Sequence, residues 1–276
     1  MIKQGIYLNS ELSADDYHSD KSILSRSALM DFKKSPRTYW ANHLNPNRPI
    51  KNITPAMHFG SAFHTLILEP HLFEDQYFVL PEKVLLKEVG KEKYHAFKKI
   101  EKEASQTERH VLSQADYQKL LSMRESLLAH SRAIGLLEGG VCESSYVWQD
   151  EHTGLMLKSR PDILHPNIYV DLKTIDDASP HSFQNSMVKR GYHIQAAMVD
   201  DGVYTLTGNK LAAFINICVE KTYPHPVAIY IIDEAAIDYG KCEYKQILLD
   251  LKAAMCENVY NDYAVETIGL PTWYMK

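Results

Sequence analysis

Arg160-Pro-Asp162-Ile-Leu-His-Pro-Asn-Ile-Tyr-Val-Asp171-Leu-Lys173 is the stretch on which the fold turns. Ile168–Ile175 is rich in β-formers, and His165-Pro-Asn before it makes a turn. In a strand, side chains at i and i+2 share a face. Asp171 and Lys173 therefore project together, while Ile168, Val170 and Leu172 face the opposite side, towards a core. A carboxylate and an ammonium on an otherwise hydrophobic strand are costly unless they pair or do chemistry. Asp162 ends the preceding strand, and antiparallel pairing across the short turn brings it near Asp171. Two converging carboxylates make an oxygen-rich site suited to Mg²⁺ or Mn²⁺. The bland alternative is an Asp171–Lys173 ion pair with Asp162 capping a turn.

An acidic residue two before a lysine occurs four times: Asp31/Lys33, Asp171/Lys173, Glu243/Lys245 and Asp250/Lys252. The other three fall in expected helices, where i and i+2 point about 200° apart. The strand copy alone puts both groups on one face.

Outward from this stretch, Glu143–Gln149, Leu155–Leu164 and Ile168–Ile175 are expected to form three strands in a meander, with Asp150-Glu-His-Thr-Gly154 as a hairpin loop. Downstream, Ser179-Pro180 opens a helix towards Arg190, and a second helix covers His193–Leu206. Leu211–Glu220 and Val227–Ile232 are strands, and Glu234–Tyr260 is a long helix before a tail at residues 266–276. Upstream, Ser25 is expected to cap Arg26–Lys34, and Ser35-Pro36 opens Arg37–His43. Pro55 opens the apolar helix Ala56–Leu68. Ser113 caps Gln114–Ala129, with Tyr117, Leu120, Leu121, Leu127 and Leu128 available for burial. Lys83–Lys102 interleaves both charge signs, as a solvated helix or loop, or as a mobile element beside a ligand. The pattern predicts an α/β (α+β) domain: one central mixed β-sheet flanked by helices. A helical N-terminal layer (1–54) precedes a core at 55–265.

With 276 residues, 45% hydrophobic and 24% charged, the chain has the mixture of a globular protein with a sizeable core. No stretch approaches the ~20 apolar residues that span a bilayer. Met1-Ile-Lys-Gln-Gly5 lacks an apolar signal region, so a cytoplasmic location and no membrane partner are expected. The four cysteines show no Cys-x-x-Cys spacing, arguing against a zinc knuckle or disulfide framework. A net charge of −5 confines any nucleic-acid contact to a local groove. Gly-x₄-Gly-Lys-Ser/Thr, Gly-x-Ser-x-Gly and His-Glu-x-x-His motifs are all missing, which removes ATP-driven unwinding, esterase and zinc-protease classes.

Pro161-Asp162 followed by Asp171-Leu-Lys173 on adjoining strands resembles the PD-(D/E)XK nuclease superfamily, a restriction-endonuclease-like core. More narrowly, the chain is similar to the nuclease domains of the exonuclease VIII (RecE) family. Gly5-Ile-Tyr7, Asp16-Tyr-His18, Ser35-Pro36, Phe59-Gly-Ser-Ala-Phe-His64 with Leu68-Glu-Pro70, Glu143-Ser-Ser145, Arg160-Pro-Asp162, Asp171-Leu-Lys173 and Tyr192-His-Ile-Gln195 follow in that family's order. The likeness runs from Gly5 to about Trp273. It implies that His64, Asp162, Asp171 and the Leu172 backbone carbonyl hold a catalytic Mg²⁺, with Mn²⁺ also suitable. Lys173 would orient or activate the attacking water, and Gln195 would face the site near Lys173 or DNA. On residue type alone His64 is a core histidine; the resemblance makes it a ligand. Glu143 is a further metal ligand, an acid beside the ligands or a plain surface carboxylate. Related helicase-nucleases carry Tyr four residues after this Gln, where this chain has Val199.

Lys158, Arg160, Lys189, Arg190 and Tyr192 are candidate DNA contacts, since backbone binding needs cations near the site. Lys33, Lys34 and Arg37 cluster in the N-terminal helices. Solvated surface is the alternative for each cation. The resemblance implies exonuclease action on linear double-stranded DNA from the 5′ end, leaving 3′ single strands for a RecT-like annealing partner in prophage-type recombination. It also implies a homo-oligomer, in that family a tetramer. The rival expectations are a nuclease of other polarity or single-stranded substrate, a non-catalytic DNA-binding relic, and a structural protein.

Overall fold

The computed structural model describes residues 2–49, 54–83, 86–107, 109–270 and 274. Its strands are β1 (Gly5–Tyr7), β2 (Tyr77–Val79), β3 (His110–Leu112), β4 (Val141–Cys142), β5 (Ser145–Gln149), β6 (Met156–Ser159), β7 (Ile163–Leu164), β8 (Ile168–Ile175), β9 (Ala213–Glu220) and β10 (Val227–Ile231). They form a five-stranded mixed sheet in the order β10-β9-β8-β7-β4, a three-stranded sheet β1-β5-β6 and a parallel pair β2-β3. The helices are α1 (Ala14–Ser19), α2 (Arg26–Lys34), α3 (Pro36–Tyr39, continued by a π-helical turn Trp40–Leu44), α4 (Pro55–Leu68), α5 (Phe73–Gln76), α6 (Leu86–Ser105), α7 (Gln114–Ala129), α8 (Ser131–Leu137), α9 (Pro180–Arg190), α10 (Tyr192–Thr207) and α11 (Glu234–Glu257).

Strand β8 sits in the middle of the larger sheet, antiparallel to β7 and parallel to β9. The parallel pairing requires a crossover, which α9 and α10 supply. Both faces of β8 are covered, and period-2 alternation sends its residues into two different cores. Val170 and Leu172 pack with Ile215, Ile217 and Val219 under α4, α7 and α8. Tyr169 packs with Phe214 among residues of α2, α10, α11 and the smaller sheet. Each fully buried aliphatic side chain contributes about 1.5–3 kcal/mol, so β8 is fixed in register and cannot slip without turning Asp171 into the apolar layer.

One expectation is corrected here. The three-strand meander does not lie in a single sheet. Leu155–Leu164 breaks at Arg160-Pro161-Asp162: β6 pairs with β5 in the smaller sheet, while β7 pairs with β8 in the larger one. Pro161 has no N–H to continue a ladder, and it holds Arg160 extended. The chain makes the same change one strand earlier, between β4 and β5, where Glu143 adopts a left-handed φ of 51°. The two crossings lie side by side, joined by the Glu143 N–H donating to the Asp162 carbonyl at 3.1 Å.

Caps follow the sequence at most ends. Ser35, Thr54 and Ser113 accept from the N–H groups of Thr38, Met57 and Asp116. Ser25 occupies the N-cap of α2 but its side chain makes no capping hydrogen bond. In α7, Leu120, Met123 and Leu127 are buried, whereas Leu128 is exposed. From Leu86 onward the charged stretch is helical, with Lys98–Glu101 and Lys99–Glu103 pairs along its exposed side; Val84 and Leu85 lie outside the described residues, as do Pro271–Trp273 of the expected tail. Among the described residues, no helix is long and apolar enough to cross a membrane.

Candidate metal centre

The site forms where the two sheet crossings meet helix α4. Asp162 leaves the second crossing with its carboxylate against β8, and its Oδ2 accepts from the Leu172 N–H at 2.7 Å. Glu143 comes from the first crossing. His64 comes from α4, which buries Phe59, Ala62, Phe63 and Leu66 in the core and leaves the imidazole half-buried at the rim. His64 Nδ1 lies 3.7 Å from Asp162 Oδ2. One ligand atom each from His64, Glu143 and Asp162 falls within 4.8 Å of the others.

The electrostatics of this trio suit a cation. Burial, reinforced by the negative charge of Asp162, pushes the Glu143 carboxyl up to about 8. Asp162 is raised as well, by burial first and by Asp171 second. Carboxylates with this strain release it by taking a proton or a metal ion.

Beside the trio stands the Asp171–Lys173 pair, on one face of β8 as period 2 requires. The Lys173 ammonium touches Asp171 Oδ2. Burial drives the lysine pKa down, but Asp171 and Asp162 together outweigh it and leave the group raised. Asp171 Oδ1 receives the Tyr169 hydroxyl at 2.6 Å and Gln195 Nε2 at 2.8 Å. Asp171 Oδ2 is buried and has no hydrogen bond of good geometry, despite the ammonium against it. The His64 imidazole and the Glu143 and Asp162 carboxylates form a donor set that fits Mg²⁺ or Mn²⁺, with Asp171 Oδ2, paired to Lys173, beside it.

Placement of the remaining candidates is mixed. Gln195, on α10, reaches the site through Asp171 and Tyr169. Leu172 enters through its N–H, held by Asp162, with its side chain in the core. Tyr192 lies beneath the Lys173 ammonium, 4.9 Å from the ring centre. Lys189 and Arg190 are exposed at the end of α9.

Lys158 and Arg160 are corrections. Lys158 is 4% exposed, and its ammonium donates to the carbonyls of Tyr17 and Asp20. Arg160 donates to Ser145, Asn9 and the Leu12 carbonyl and lies over the Tyr17 ring. Both tie the N-terminal layer to the smaller sheet and present no free cation to DNA. Lys33 is likewise held by Glu243, and Arg37 stacks on Trp40.

Two neighbours of the site escaped the sequence reading. Arg26 opens α2, donates to the Arg190 carbonyl, and its charge is felt by Tyr169, Lys173 and Tyr192. Its position as the first helical residue after a serine was the available signal. Glu69 follows α4, accepts from Asn9, and adds to the negative field at Glu143.

Residues 25–267 match the model of a family described as a PDDEXK-like domain of unknown function (DUF3799). The chain belongs to that family. The matched span contains Asp162 and Asp171-Leu-Lys173. The crystal structure of a "Putative exonuclease" from Eubacterium rectale shares the fold, with a TM-score of 0.60 and 18% identity over 94% of this chain and 96% of that one. The curated proteins contain no match to the sequence.

Proposed function

We propose that this PDDEXK-like protein is a divalent-metal-dependent DNA nuclease that trims linear double-stranded DNA as an exonuclease. The observation that carries the proposal is the convergence of His64, Glu143 and Asp162 within 4.8 Å, beside a buried Asp171–Lys173 pair. A structural ion pair needs no such trio. Exonuclease action is supported further by the description of the Eubacterium rectale protein that shares the fold.

His64, Glu143, Asp162 and Asp171 Oδ2 would hold the ion. A bound divalent cation supplies an oxygen nucleophile at neutral pH and relieves charge on the phosphoryl oxygens. The protein's own groups do the rest. Lys173, kept as an ammonium by its contact with Asp171, donates to a phosphate oxygen or to the attacking water and offsets the charge that builds there. Gln195 and Tyr169 keep Asp171 from turning away. Lys189 and Arg190, exposed nearby, suit contacts to the phosphate backbone. The 5′-to-3′ polarity, the 3′ single-stranded product and its RecT-like annealing partner are inferred from the resemblance to the exonuclease VIII family.

Linear duplexes labelled at the 5′ or the 3′ end test the proposal, with Mg²⁺, Mn²⁺ or EDTA present. Metal-dependent release of nucleotides, with the 5′ label leaving first, is expected. Absence of metal-dependent hydrolysis of any duplex or single strand overturns the nuclease assignment, and first release of the 3′ label overturns the polarity.

A further inference from the structure

We propose that Tyr169 is a positioning residue of the metal centre: its hydroxyl, together with Gln195, clamps Asp171 Oδ1 and aims the other carboxylate oxygen at the cation and Lys173. The proposal rests on the nuclease assignment above and extends it to a residue outside the Asp-x-Lys motif. Tyr169 precedes Asp171 by two positions on β8, so both project from one face. The hydroxyl donates to Asp171 Oδ1 at 2.6 Å, and Gln195 Nε2 lies 2.8 Å from the same oxygen and 2.8 Å from the Tyr169 hydroxyl. Three polar groups thus close a triangle on one side of the carboxylate. Asp171 Oδ2 is left buried without a hydrogen bond of good geometry, against the Lys173 ammonium.

The ring of Tyr169 is itself immobile. It is 2% exposed and packs edge-on against Phe214, with ring centres 6.3 Å apart, inside the core shared by α2, α10 and α11. The phenol is therefore a fixed donor delivered by the core to the carboxylate. Stability alone does not call for this arrangement. A carboxylate that is 1% exposed is expensive, but Lys173 already offsets its charge from the other oxygen without the phenol. The phenol makes sense as the group that fixes one of the two carboxylate oxygens, because a ligand oxygen is useful only when its direction is set.

Tyr169→Phe removes the donor and keeps the ring. Calorimetric titration of the metal-free protein with Mn²⁺, kcat and KM on linear duplex DNA, and the melting temperature test it together. Mn²⁺ affinity is expected to weaken by roughly ten- to a hundredfold, with a similar loss in kcat and an unchanged KM for DNA. Gln195→Met, which removes the other donor, is expected to weaken Mn²⁺ binding in the same direction, and the two effects together to fall short of the product of the singles. A Tyr169→Phe protein that melts lower but binds Mn²⁺ and turns over like wild type overturns the proposal, since its hydroxyl is then merely structural. If the wild-type protein binds Mn²⁺ but cleaves no DNA, the nuclease assignment fails, and the Mn²⁺ isotherms of the two variants still decide the clamp.

Discussion

Glu143 and Lys158 show how burial assigns different work to charges of opposite sign. Glu143 has an ordinary value of 4.5 and is pushed to about 8 by burial and by Asp162. The folded metal-free protein then holds a proton that the unfolded chain has already lost, so stability falls as pH rises from about 4.5 to about 8 and levels off above. Melting temperatures across that window should show the decline, and Glu143→Gln should flatten it. Added Mn²⁺ should raise the melting temperature more at pH 8 than at pH 6, because binding competes with the proton. Lys158 is a beam of the N-terminal layer. Lys158→Ala leaves two carbonyls without their donor and should cost about 2–4 kcal/mol in urea unfolding, with unchanged DNA affinity for the molecules that remain folded. An exposed phosphate contact would give the reverse. Strand alternation revealed which face Asp171 and Lys173 share, because that is a local property. It could not reveal that the Lys158 face is roofed by Tyr17 and Asp20, whose partnership depends on contacts 141 and 138 residues apart in sequence.

At the level of elements, the site depends on strands changing sheets. Leu155–Leu164 reads as one continuous strand, and the proline in Arg160-Pro161-Asp162 marks the break. Which sheet each half joins is decided by distant partners, β5 on one side and β8 on the other. The helices were more legible: α2, α7 and α9 begin and end where capping residues and prolines place them, and β8 spans Ile168–Ile175 as its β-formers indicate. Gly140 sits just before β4, at this junction. A Cβ there would come 2.3 Å from Ile163 Cγ2, and Ile163 is fully buried and β-branched, with little room to turn. Gly140→Ala should cost about 1–3 kcal/mol. Because Ile163 follows Asp162, the variant should also bind Mn²⁺ more weakly than wild type at a temperature where both are folded. Equal affinities in calorimetry would show that the junction tolerates movement without disturbing the carboxylate.

Across the whole molecule, the charge balance bears on how the proposed nuclease would hold DNA. The net charge is −5; Lys158 and Arg160 are engaged inside the protein, and Lys33, though exposed, is paired with Glu243. Among the described residues, Lys189 and Arg190 are exposed cations at the end of α9 that suit the backbone. A homo-oligomer that gathers these from several copies around one substrate would concentrate the positive field. Sedimentation at micromolar concentration should give a mass above the 31.6 kDa of one chain, a tetramer on the family resemblance, and a monomer would contradict this. The proposed function places a divalent cation where the two sheet crossings meet α4. Anomalous diffraction from crystals soaked in Mn²⁺ tests it most directly. A peak within coordination distance of His64, Asp162 and Glu143 is the outcome the structure calls for; an ordered site with no peak there, or manganese bound only elsewhere on the surface, would contradict it.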